Sequence, residues 1–116
     1  MAIEIRASQA LKLWHDVTLE LVHFGEQDLT ARQMAILLTV YLEPPPHTVR
    51  GLAKKLNVTK PAITRALDTM GRMKLLDRRR DENDRRNVVI LRTVDGALYL
   101  ERLADVVVEK AATVRS

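Results

Sequence analysis

Two short amphipathic stretches stand end to end between Thr48 and Asp68, and no other feature restricts the fold as tightly. Thr48 can cap the first stretch, in which Val49, Leu52, Ala53 and Leu56 share one helical face. Asn57-Val58 reads as a tight turn, because asparagine tolerates the left-handed conformation that ends a helix. Thr59 caps the second stretch, and Pro61 is acceptable there because it falls in the first turn. Ile63, Ala66, Leu67, Met70 and Met73 form the apolar stripe of this second helix; Lys60, Thr64, Arg65 and Asp68 lie opposite. Ala53 is small where the two helices must cross, and Val58 fills the turn. Two helices joined by about three residues, the second with basic and hydroxyl groups outward, make a helix-turn-helix. The competing reading is two amphipathic helices of any small α-helical domain, so the segment after the pair decides.

From Leu75 the period changes from helical to alternating. Residues 75–80 and 87–92 read as two short strands, and Asp81-Glu82-Asn83-Asp84-Arg85-Arg86 is too polar to bury and reads as a hairpin loop. A hairpin extended beyond a helix-turn-helix is a wing. An arginine on such a loop can reach the minor groove of DNA, where the potential is most negative. Arg78, Arg79 and Arg80 stand on the stem within reach of phosphates. Neighbouring strand residues point to opposite faces, so one of the three is expected to make that contact. The competing reading of the triplet is a strand edge kept charged against aggregation.

The flanks are helical. Residues 8–24 carry Leu11, Trp14, Val17 or Thr18, and Leu21 at helical spacing, with Gly25 as a stop. Thr30-Ala31-Arg32-Gln33 is a capping-box pattern, opening a helix with Met34, Leu37, Leu38 and Tyr41 on one face. Pro44-Pro45-Pro46 ends it. After the wing, Thr93 caps a last helix with Asp95 in its first turn. Leu100, Leu103, Ala104, Val107, Ala111 and Val114 run down one face, widened by Val106 and Val108. The expected fold is mainly α with a small β-hairpin, a winged helix-turn-helix in the order α-α-α-α-β-β-α. Residues 1–116 are read as a single winged-helix domain.

Charge follows the same division. The chain of 116 residues has a net charge of +4. The window from His47 to Arg92 holds thirteen basic and five acidic residues, a net of +8, and the remainder six basic and ten acidic, a net of −4. A basic centre between acidic flanks suits a polyanion; the competing reading is a solvated basic face. Cysteine is absent, which excludes disulfides, thiolate metal sites and a thiol nucleophile in this chain. No apolar run is long enough to span a membrane, and Met1-Ala2-Ile3-Glu4-Ile5-Arg6 has no basic segment leading into an apolar one. A reducing cytoplasm is the expected compartment. Asp16, Glu20 and His23 share a helix face and, with His15 and His47, are the candidate metal ligands; charged residues at such spacings are ordinarily a solvated face. No catalytic constellation or phosphate loop stands out, so neither an enzyme nor a cofactor is expected.

The stretch from Leu29 to Leu103 resembles the MarR family of bacterial transcription regulators. The matching pieces are Leu29-Thr30-Ala31-Arg32-Gln33, Val49-Arg50-Gly51-Leu52-Ala53-Lys54-Lys55-Leu56 and Val58-Thr59-Lys60-Pro61-Ala62-Ile63-Thr64-Arg65. Leu76-Asp77-Arg78-Arg79, the wing with Asp84-Arg85-Arg86, and Thr93-Val94-Asp95-Gly96 complete them. The resemblance implies that Thr59, Lys60, Thr64 and Arg65 enter the major groove, that Arg86 enters the minor groove, and that Asp84 braces the wing through an arginine. Asp84 as an ordinary turn-former is the competing reading. Arg50, Arg79 and Arg85 complete the expected DNA-contacting set, and 30–93 is the expected DNA-binding lobe.

The implied function is a sequence-specific regulator, a repressor, acting on double-stranded DNA as a homodimer through helices 8–24 and 96–115. The alternative is a winged-helix adaptor or antagonist that binds another protein. Relatives often take small effectors, and Trp14, Phe24, Tyr41 and Tyr99 are the aromatics that would line such a crevice, if they are not core. Three departures stand out. Arg92 takes the place of a leucine, Gly71-Arg72-Met73-Lys74 replaces a glycine that ends the recognition helix, and about 20 residues follow Gly96 where relatives continue into a further helix.

Overall fold

Short hydroxyl side chains start four of the helices. The computed structural model describes residues 4–25 and 27–114, with the side chain of Phe24 left out. In chain order the elements are α1 (Ala7–Phe24), α2 (Ala31–Leu42), β1 (His47–Thr48), α3 (Val49–Leu56), α4 (Lys60–Arg72), β2 (Leu76–Arg80), β3 (Val88–Arg92) and α5 (Val94–Ala112). Before α2, the Thr30 hydroxyl accepts from the Gln33 N–H at 3.1 Å and the Gln33 side chain accepts from the Thr30 N–H at 2.9 Å. This reciprocal pair satisfies two donors that helix geometry leaves without partners. Thr48 accepts from Gly51 at 3.0 Å, Thr59 from Ala62 at 3.3 Å and Thr93 from Gly96 at 2.9 Å.

The turn between α3 and α4 forms as its asparagine suggests. Asn57 sits in the left-handed region at φ 56°, and the Val58 N–H closes on the Ala53 carbonyl at 3.0 Å. The end of α4 uses the same device without a glycine. Lys74 takes φ 63°, and the Leu75 N–H reaches back to the Met70 carbonyl at 3.0 Å. A non-glycine residue held there costs about 1 kcal/mol or more.

The winged helix-turn-helix order is present with one addition. The hairpin is part of a three-stranded antiparallel sheet in the order β1-β3-β2, in which His47 pairs with Ile90 and Thr48 with Val89. The sequence reads as a stiff proline connector, Pro44-Pro45-Pro46, leading to α3 with no strand between, because two residues give no alternation from which to read one.

The described residues divide between two compact units, one of residues 1–28 with 101–116, the other of residues 29–100. In the second, the core joins Ile36, Leu37 and Val40 of α2, Leu52 and Ala53 of α3, and Ile63, Ala66, Leu67 and Met70 of α4 to Leu75, Leu76 and Ile90. The α2 face is therefore rotated from the expected one: Met34, Leu38 and Tyr41 are half-buried at its edge. In the first unit Val17, Val106 and Val114 are buried, whereas Leu11, Trp14 and Val107 of the expected stripes are exposed. Residue 115 of the expected helix 96–115 lies outside the described residues.

Candidate nucleic-acid interface

Burial of one face of α4 decides what its other face offers. Ala62, Ile63, Ala66, Leu67 and Met70 point into the core. Lys60, Thr64 and Arg65 are consequently exposed, and their side chains make no hydrogen bond or ion pair among the described residues. Thr59 stands before them with its hydroxyl committed to the Ala62 N–H. Arg50 is exposed in the first turn of α3.

Asp68 does not face solvent freely. Its carboxylate accepts from the Arg78 guanidinium at 2.6 Å, an ion pair that ties α4 to β2. In the same register Arg79 faces Val89 and Arg80 faces Val88. Arg80 donates from Nη1 to the carbonyl of Arg85 at 2.7 Å, bracing the loop from its stem. Of the three stem arginines, only Arg79 has a side chain without such a partner among the described residues.

The wing tip is held by short polar contacts. Asp81 N–H donates to the Asn87 carbonyl at 3.0 Å and Asn87 N–H to that of Asp84 at 2.9 Å. Asp84 Oδ1 accepts from the backbone N–H and from Nε of Arg86, both at 3.1 Å, and Oδ2 accepts from Nη2 at 3.3 Å. The forked contact fixes the plane of the guanidinium. The Arg86 side chain, then its backbone N–H, and then the charge of Arg50, hold the Asp84 carboxyl below its ordinary range. Arg86 nevertheless leaves 85% of its side chain in solvent. Arg85 is exposed beside it.

The expected residues Arg50, Thr59, Lys60, Thr64, Arg65, Arg79, Asp84, Arg85 and Arg86 all lie in the unit of residues 29–100. Two ties are not legible in the sequence: the Asp68–Arg78 pair, and the contacts of Arg92 and Tyr41 with residues about fifty positions away. No local pattern announces either. The Tyr41 hydroxyl is committed to Thr93, accepting from its N–H and donating to its carbonyl, each at 2.9 Å. Tyr99 packs against the core, and Trp14 is exposed.

On α1, Asp16 accepts from Lys12 at 2.6 Å and pairs with His15 at 3.0 Å, and these contacts, Lys12 first, lower its pKa. Glu20 lies 3.8 Å from His23. Among the described residues no group of three or more such side chains is placed to hold a metal ion. No described helix is long and apolar enough to cross a membrane.

The family model MarR (MarR family) matches residues 29–88. Among solved structures, the S. aureus MepR–DNA complex is 26% identical, with a TM-score of 0.76 over 90% of this chain and 82% of that one. S. aureus MepR in its DNA-binding conformation is 28% identical, with a TM-score of 0.69 over 92% and 75%. The YusO protein of Bacillus subtilis, at 21% identity and a TM-score of 0.75 over 92% and 74%, shares the fold. No curated protein matches the sequence. The matched segment contains the helix-turn-helix, β2 and the wing loop, so the chain belongs to the MarR family of winged-helix, DNA-binding transcription regulators.

Proposed function

We propose that the protein is a sequence-specific repressor that binds a roughly palindromic operator as a homodimer, with α4 in the major groove and the wing in the minor groove. One observation carries this reading. Lys60, Thr64 and Arg65 stand unpartnered among the described residues on the solvent face of α4, in the same compact unit as the protruding Arg85 and Arg86. A major groove admits a helix and shows a distinct donor and acceptor pattern for each base pair, which lysine, threonine and arginine can read. A minor groove is narrow and strongly negative, which suits a guanidinium held in a fixed plane. Arg50 and Arg79 supply phosphate contacts, which set affinity and register. Asp84 orients Arg86 while leaving most of that side chain free.

Dimerisation is supported by the apolar surface of the first unit. Leu11, Trp14 and Val22 recur along one face of α1 with 72%, 63% and 72% of their surface exposed, and Val108 of α5 is 70% exposed. Faces of that kind on small proteins are ordinarily covered by a partner. Two copies then address half-sites about one helical turn apart. A protein-binding adaptor fits the site less well, because protein interfaces are depleted in lysine.

The test is selection of bound fragments from genomic DNA with the purified protein, followed by titration of a selected site. Arg65→Ala and Arg86→Ala are each expected to weaken specific binding by about 1–3 kcal/mol. Parent-like affinity in both variants overturns the docking.

A further inference from the structure

We propose that Arg92 is a positioning residue for the wing: it latches the base of β3 onto the end of α2 and thereby sets where the wing-tip arginine stands. This inference rests on the proposed docking of the wing into the minor groove.

The prolines create the need for such a latch. In an α-helix the carbonyls of Val40, Tyr41 and Leu42 would accept from the N–H groups of residues 44–46. All three positions are proline and have no N–H. The last turn of α2 therefore has no main-chain donors of its own beyond the Glu43 N–H, which closes on Thr39 at 3.0 Å. Side chains supply donors to the Val40 carbonyl and to the neighbouring Glu43 carbonyl. Arg92 donates from Nε to the Val40 carbonyl at 2.9 Å and from Nη2 to the Glu43 carbonyl at 3.3 Å. His47 of β1 reaches the same Glu43 carbonyl at 3.1 Å. The cation also completes the helix electrostatically, because positive charge is favoured at a helix C-terminus.

The same contacts hold the strand. The Arg92 guanidinium lies over the Tyr41 ring, 5.7 Å from its centroid, and the Tyr41 hydroxyl bonds both the N–H and the carbonyl of Thr93. Arg92 and Thr93 are thus pinned to α2, whose Ile36, Leu37 and Val40 are fully buried. Past the buried Ile90 and the Asp68–Arg78 pair, which also hold the hairpin, the wing has little to rest on. A two-stranded hairpin is marginal by itself in water, and β1 supports it over only two residues. Arg86 lies in the loop two residues before β3 and six from Arg92, or at most roughly 20 Å at the strand rise. A tilt of about 10° at the latch then moves the tip by at most roughly 3–4 Å, against a groove about 6 Å wide.

A mutant cycle tests this on full-length protein, using an operator fragment selected from genomic DNA. Arg92→Leu, Arg86→Ala and the double variant are titrated together. Each single variant is expected to bind about tenfold more weakly, and the double no more weakly than Arg86→Ala. Hydroxyl-radical protection in the minor groove is expected to fade in Arg92→Leu while guanine N7 protection under α4 persists. Arg92→Lys, which keeps the charge but loses the fork, is expected between parent and Arg92→Leu; it carries the same cycle if the leucine variant does not fold. Losses that multiply to about a hundredfold in the double variant, or parent-like binding by Arg92→Leu, overturn the positioning role. Parent-like binding by Arg86→Ala instead removes the wing docking itself, and the inference falls with it.

Discussion

Adding one methyl group at Gly96 should cost the protein several times what it gains. Gly96 is buried in the first turn of α5, and its N–H is held by the Thr93 cap. A Cβ there falls inside van der Waals contact of the Leu75 carbonyl oxygen and the Tyr41 hydroxyl, and 3.0 Å from Tyr41 Cζ. Alanine in a helix is worth about 1 kcal/mol over glycine. Against this, overpacking costs about 1–3 kcal/mol. Moving Tyr41 also strands the part-buried Thr93 N–H, which costs a further 1–3 kcal/mol or so, about the penalty of an unmade hydrogen bond. The balance is a loss of about 1–5 kcal/mol. For a chain of this size that lowers the Tm by roughly 4–20 °C, measurable by calorimetry or circular dichroism. In a Tyr41→Phe background one of the two close contacts disappears, so Gly96→Ala should cost less there. An unchanged or raised Tm for Gly96→Ala refutes the reasoning.

Three other outcomes rest on single contacts. Lys74→Gly relieves the left-handed strain at the end of α4 and is expected to stabilise by about 0.5–1 kcal/mol in chemical denaturation, after the larger entropy of an unfolded glycine is subtracted. Asp84 titrates below its ordinary 3.8 because Arg86 stabilises the carboxylate, so the contact contributes fully above that value and is lost as pH falls through the lowered one. An NMR titration of the Asp84 carboxyl should show this midpoint rise toward the ordinary range in Arg86→Ala, while the backbone N–H of residue 86 and the charge of Arg50 still hold it below. Trp14→Glu places a charge on the exposed α1 face and is expected to shift the proteins toward monomers in sedimentation, with specific DNA affinity falling alongside.

The local chemistry of this fold is largely readable from the chain. Thr30, Thr48, Thr59 and Thr93 each announce a helix start, because a hydroxyl three residues before a free N–H needs nothing from the rest of the chain. Asn57 does the same for the turn. The features that escape such reading depend on partners remote in sequence. The phase of α2 is set by which residues meet α3 and α4, so Ile36 and Val40 are buried rather than Met34 and Leu38. Val106, and not Val107, is buried on α5 for the same kind of reason. The Arg92 latch joins residues whose only connection in the sequence is that three prolines leave carbonyls waiting. At the candidate interface the outward residues of α4 can be named from periodicity, but the ties of Arg78 and Arg80, which set Arg79 apart, cannot.

Salt dependence tests most directly whether the unpaired cations of this lobe meet the phosphates of DNA. A dimer in which Arg50 and Arg79 of each protomer meet phosphates, about four contacts in all, should lose roughly a hundredfold in affinity between about 50 and 200 mM salt, with a straight double-logarithmic plot. Binding to the selected operator that is insensitive to salt, or absent at low salt, contradicts the account and points to a protein partner instead.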